Sequence, residues 1–189
     1  MSSELFRAAT DYVRDVTSGL SNDALGFSTP CDGWDTGTVV LHLADVAAAL
    51  VSLVESGEMQ MPDSPRTDAA DPVAKFHHIV AQLEAALSTA PDTERAEAAM
   101  QAGTIEFTMH GWDIGMASDH GHKIPKQLAG EVLELATALI SDDARGTNFA
   151  ARVNAPTTAL MSDRLVAFLG RRPVELGVVD DRDVSRNAP

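Results

Sequence analysis

The chain has 189 residues, 44% of them hydrophobic and 22% charged, the size and composition of one globular unit with a real core rather than a disordered or multidomain chain. Its 28 acidic residues against 14 basic ones give a formal net charge of −14, a field that repels phosphate backbones and anionic bilayers and so argues against nucleic-acid and membrane partners. Cys31 is the only cysteine, which excludes an internal disulfide and a thiolate-rich zinc site and leaves nitrogen and oxygen ligands for any metal.

The first segment, Ser3 to Leu20, repeats apolar residues at Leu5, Ala9, Val13, Val16 and Leu20, with Glu4, Arg7, Asp11 and Arg14 between them. That spacing is an amphipathic helix. The same polar, acid-containing N-terminus is unlike a signal peptide, which begins basic and continues apolar, so a cytoplasmic location is expected. Ser21 to Asp35 breaks the period at Asn22, Pro30, Asp32 and Gly33 and reads as a loop. A second helix is expected from an N-cap at Asp35 or Thr36 to a stop at Gly57, with a stripe of Val39, Leu43, Val46, Leu50 and Val54. A third starts where Asp71 caps and Pro72 takes the first helical position, with Val73, Phe76, Val80, Leu83 and Leu87 on one face. A fourth follows Pro91-Asp92 to about Ala117, a fifth follows Pro125, and a short sixth runs from Ala159 to Leu169 and ends at Gly170. Asp143 to Thr158 reads as loop.

No run alternates like a strand, and none approaches the roughly 20 apolar residues that span a bilayer. The expectation is an all-α chain, a four-helix bundle with one or two additional C-terminal helices over residues 1–173, and a polar tail at 174–189.

Chemistry concentrates in Thr104 to Gly115, TIEFTMHGWDIG. Glu106 and His110 stand one helical turn apart among apolar residues that point several ways, so both border the core and need partners there. Residues i and i+4 emerge side by side, and a third donor from another helix would complete a zinc-type set. His42 is the best candidate, about 40° around its helix from Val46 of the apolar stripe. Two histidines and a carboxylate suit Zn²⁺, and also Ni²⁺ or Fe²⁺. A Glu–His pair at this spacing is also an ordinary helix-surface pair, so spacing alone leaves both readings open.

The order Thr29-Pro30-Cys31-Asp32-Gly33-Trp34-Asp35, then His42, then Glu106-x-x-x-His110-Gly111-Trp112-Asp113, resembles the actinobacterial metal-binding branch of the DinB-like superfamily, related to the mycothiol-dependent maleylpyruvate isomerases. The similarity continues through Ala155-Pro156 and Asp163-Arg164-Leu165-x-Ala167-Phe168-x-Gly170-Arg171-x-Pro173. The resemblance implies a four-helix bundle holding a divalent metal, usually zinc, on His42, Glu106 and His110. It also implies a cytoplasmic thiol such as mycothiol as co-substrate, and a small electrophilic molecule that undergoes S-transfer or isomerisation. Hydrolysis by a zinc-activated water and a non-catalytic, metal-stabilised ligand-binding role are the other readings. The chain is too short for the additional C-terminal domain of the maleylpyruvate isomerases, and no thiol-binding arginine is assigned by position. Such bundles often pair, and the apolar circumference of the second helix fits a homodimer.

Around the three candidates, Asp113 is three residues beyond His110 and either accepts its ring N–H or is a solvated or capping carboxylate. Trp34 and Trp112 either wall a pocket or fill the core. Cys31 precedes a helix, where a thiol pKa can fall, or packs as a small hydrophobe. His77 and His78 cannot both face one site, His120 and His122 form a secondary metal pair or a solvated loop, and Arg171-Arg172 reads as a small basic spot.

Overall fold

The computed structural model describes residues 2–62, 64–65, 69–118, 123–143, 145 and 149–173. Among the described residues six α-helices follow in order: α1 (Ser2–Ser18), α2 (Thr36–Ser56), α3 (Pro72–Thr89), α4 (Thr93–Ala117), α5 (Lys126–Leu139) and α6 (Met161–Phe168). Among the described residues the only extended pairing is an isolated bridge between Ser28 and Asp35. His120, His122 and the tail expected at 174–189 lie outside the described residues.

The starts of α2, α3 and α4 are set by side-chain caps that satisfy otherwise orphaned N–H groups. Asp35 accepts from Thr38 N at 2.8 Å, Asp71 from Ala74 N at 2.9 Å, and Asp92 from Glu94 N and Arg95 N at 3.1 Å. Gly57 ends α2 in the left-handed region at φ 81°, where a side chain is strained. Two helix boundaries shift by two residues and one short turn is added relative to the sequence reading. α1 stops at Ser18, where Leu20 N turns back to Thr17 O. Asp23–Gly26 forms a short 3₁₀ turn inside the expected loop. α6 starts at Met161, because Ala159 is used in a turn whose N–H bonds Pro156 O.

Side-chain meetings fix the directions of the helices. Ser2 Oγ bonds Glu97, Phe6 abuts Gly103 and Tyr12 abuts Gly111, so α1 and α4 run parallel. Leu50 meets Gly103 and Gly57 meets Arg95, so α2 runs antiparallel to α4. Arg14 holds Glu84 through two 2.8 Å bonds and Thr17 holds His77, which sets α3 antiparallel to α1. The bundle is therefore up-down-down-up, and the parallel α2 and α3 require a crossover connection between them that returns along a helix about 30 Å long. α5 packs on α4 and α1, and α6 packs on α5.

Where α1 and α4 touch, glycine lets the backbones approach. A Cβ at Gly103 would lie 2.8 Å from the Phe6 ring, and one at Gly111 the same distance from the Tyr12 ring. The centre is a cluster of aromatic rings, Phe107 lying 5.8 Å from both Phe6 and Phe76 between centroids.

α2 corrects one sequence expectation. It has 21 residues, and an 18-residue stretch of it has a mean hydropathy of 1.9, long and apolar enough to cross a bilayer by length and composition. Its interrupting His42, Asp45 and Glu55 hide this in a residue-by-residue scan. In the fold, Val39, Leu43, Val46 and Leu50 are buried against α3 and α4, the behaviour of a core helix.

Candidate metal centre

His42 lies in the second turn of α2, and the antiparallel α4 carries Glu106 and His110 past it. The side chains meet: His42 Nε2 lies 3.6 Å from Glu106 Oε2, and His110 Nε2 lies 3.4 Å from the same oxygen. One nitrogen or oxygen from each residue falls within 4.8 Å of the others. A tetrahedral ion with bonds of about 2.05 Å separates its ligand atoms by about 3.3 Å, so the two measured edges are within a few tenths of an ångström of a zinc-type donor set. The side chain of His110 is 5% exposed, that of His42 18% and that of Glu106 24%. The cluster is thus open on the His42 and Glu106 side.

Behind His110 stands a chain of charged hydrogen bonds. Its Nδ1 lies 3.0 Å from Asp113 Oδ2. Arg171 donates to Asp113 from Nε to Oδ1 at 2.9 Å and from Nη2 to Oδ2 at 2.9 Å. Asp113 is fully buried, and a carboxylate there is tolerable only with such partners. With Nδ1 donating to Asp113, it is Nε2 that faces the cluster, and loss of its proton would present a lone pair there. Arg171 is thus no surface basic spot. Gly170, at φ 88°, turns the chain beyond α6, and Arg171 N bonds Val166 O at 2.8 Å.

The electrostatics match a cation site. Burial works against the charge on Glu106, but hydrogen bonds and attraction from His110 and His42 outweigh it and hold the carboxyl well below the usual carboxylate range. Burial likewise opposes charge on His110, yet Asp113 and Glu106 on either side push its pKa up to about 9. Asp113 is held low by His110 and Arg171 despite its burial. Two ionised carboxylates flanking one imidazole make a centre that demands positive charge, supplied by a proton or a metal ion.

A second set of donor atoms, from Cys31, His110 and Asp113, also lies within 4.8 Å. Its chemistry is less suitable. The Asp113 oxygens are engaged by Arg171 and His110, and the Cys31 pKa is raised, by burial first and by Asp113, Asp32 and Glu106, against the lowering effect of Arg171. That is the opposite of the fall a position before a helix can produce, because burial, helped by the nearby carboxylates, outweighs Arg171.

The cluster opens into a cleft of about 930 Å³ whose walls include Trp34, Val46, Leu50, Ile105, Met109 and Phe149. Trp34 sits 4.9 Å from the His42 ring and stacks 6.4 Å from that of His110, so it is a wall of the site, whereas Trp112 is core. His77 is tied to Thr17 at 2.8 Å and His78 to Gln82 at 3.3 Å. Both are away from the cluster.

A family profile described as the mycothiol maleylpyruvate isomerase N-terminal domain matches residues 6–115. Two uncharacterized proteins of Mycobacterium tuberculosis, one from each of two strains, are each 25% identical over 176 residues, covering 86% of this chain and 93% of theirs. No solved structure matches the chain. The profile takes in His42, Glu106, His110 and Asp113, stops short of Arg171, and covers more than half of the sequence. The chain therefore belongs to the mycothiol maleylpyruvate isomerase N-terminal domain family, a DinB-like family of helical bundles.

Proposed function

We propose that the protein binds a divalent ion, zinc by its donor set, through His42, Glu106 and His110, and uses it to bring a low-molecular-weight thiol, mycothiol, onto a small electrophile. The observation that carries this reading is the meeting of two imidazoles and one carboxylate at the floor of a largely apolar cleft. Membership of a mycothiol-named family supports the choice of thiol. Nickel or ferrous iron suits the same donors.

A bound zinc lowers the pKa of a coordinated thiol, so that thiolate is present at neutral pH. The protein's own residues prepare the place. Asp113 fixes the His110 tautomer and ring plane, Arg171 keeps Asp113 ionised, and Glu106 adds one negative charge. Trp34 covers the imidazoles on one side and limits water. In the transfer, the sulfur's electron pair forms the new S–C bond. The displaced pair moves to the leaving group or, in an addition, to the adjacent carbon, where the proton released by the thiol is taken up. No redox reagent is consumed, and no side chain acts as nucleophile. Cys31, the thiol nearest the cluster, is held in its protonated form.

The test is thiol-dependent consumption of monochlorobimane by metal-loaded protein, compared with His110→Ala. Faster consumption by the native chain, dependent on added mycothiol, supports the reading. Equal rates across several thiols dispose of it. Turnover without thiol would indicate hydrolysis, and metal binding with no turnover a ligand-holding role.

A further inference from the structure

The cleft says what the second reactant looks like. At about 930 Å³ it is larger than a thiol head requires, and the space beyond the metal ligands is walled by Leu50, Met61, Ile105, Met109, Ile140 and Phe149. Its rim is also apolar and open: Met59 of the crossover is 51% exposed, Met61 39% and Leu139 of α5 48%. Methionines at a mouth adapt to apolar ligands of varied shape.

Charge is the sharper discriminator. Among the described lining residues Arg171 is the one arginine or lysine, and its Nε and Nη2 are committed to the buried Asp113. The other charged groups are Asp32 and Glu106. A divalent ion, the Glu106 carboxylate and one thiolate sum to zero, and Arg171 is cancelled by Asp113. Asp32 then leaves the loaded cleft negative. Among the described lining residues, a diacid entering it would find apolar walls, the Asp32 and Glu106 carboxylates and no arginine or lysine other than the committed Arg171, and a charge taken from water into such a place is strongly disfavoured.

We infer that the electrophile is an uncharged, largely apolar molecule, and that unsaturated dicarboxylic acids of the maleylpyruvate kind are rejected. This rests on the thiol-conjugation reading above and narrows its substrate class. With an activated alkene as the electrophile, the reaction is thiol addition across the double bond. The S–C bond forms from the sulfur pair, the π pair moves to the neighbouring carbon, and the thiol's proton is taken up there.

The experiment compares dimethyl maleate with maleate. Each is offered with mycothiol to the metal-loaded full chain, and each rate is divided by the uncatalysed rate with the same thiol. The expected result is an acceleration at least about tenfold greater for the diester than for the dianion, persisting in about 0.5 M salt, where long-range charge effects are screened. Equal accelerations, or a preference for maleate, would overturn the inference while leaving the thiol reading standing. A preference that vanishes in salt would assign it to the overall net charge and overturn the role given to the cleft. If neither compound is consumed faster than with His110→Ala while monochlorobimane still is, the inference is overturned and the thiol reading stands; if monochlorobimane is not consumed faster either, both fail.

Discussion

Arg171 grips Asp113 through two parallel hydrogen bonds of 2.9 Å, and Asp113 in turn holds Nδ1 of His110 at 3.0 Å. A residue beyond α6 thereby controls the orientation of an imidazole on α4. The site depends on chain outside residues 6–115, where the family profile matches.

Arg171→Gln should weaken zinc binding, read by competition with a chromophoric chelator, by roughly tenfold to a hundredfold, the range for loss of a partner behind a ligating histidine. Arg171→Lys keeps the charge but not the two-pronged geometry and should fall between native and Gln. Circular dichroism checks that the helices persist. Unchanged zinc affinity in both variants would reduce Arg171 to a structural tie.

The metal-free protein should have a characteristic pH profile of stability. His110 has a folded pKa of about 9 against an ordinary 6.5, so its contribution is complete below about pH 6.5 and is lost as pH rises through 9. Glu106 is depressed from an ordinary 4.5, so its contribution is present above that value and is lost as pH falls below it. Urea midpoints of chelator-treated protein should therefore be highest between these limits. Zinc must displace the His110 proton, so apparent affinity should rise by about tenfold per pH unit towards pH 9. An affinity that is flat from pH 6.5 to 9 would contradict the assignment of His110 Nε2 as a ligand.

Two glycine substitutions should act in opposite directions. At Gly111 a Cβ meets the Tyr12 ring at 2.8 Å, and overpacking of about 1–3 kcal/mol exceeds the gain of about 1 kcal/mol from replacing a helical glycine. Gly111→Ala should lower the urea midpoint. At Gly130 in α5 the nearest atom is Met161 Cγ at 3.7 Å, ordinary contact. Gly130→Ala should raise the midpoint by up to about 1 kcal/mol of stability.

The helices were readable because their boundaries rest on local chemistry. Asp71-Pro72, Asp92 and Gly57 each act within one turn, and the structure uses them as caps and stop. Glu106, His110 and Asp113 were readable as one face because helical phase places i, i+4 and i+7 together. His42 required the further assumption that its helix lies beside α4, which the apolar stripe through Val46 suggests without fixing.

What escaped depends on irregular or distant chain. Arg171 reaches Asp113 only because Gly170 adopts φ 88° and the chain folds back onto Val166, and no periodicity signals that. Met59 and Met61 line the cleft because parallel α2 and α3 force a crossover over its mouth. Nothing in their own neighbourhood records the direction of α3. The 3₁₀ turn at Asp23–Gly26 is too short to display a period.

The central claim is that two helices bring His42, Glu106 and His110 onto one ion. The most direct measurement is elemental analysis of tag-free protein joined to X-ray absorption of the bound metal, for the native chain and for His42→Ala. The account expects about one zinc per chain with two imidazoles and one carboxylate in its shell, and one imidazole fewer in the variant. Metal far below one per chain, or a native spectrum unchanged by His42→Ala, would contradict it.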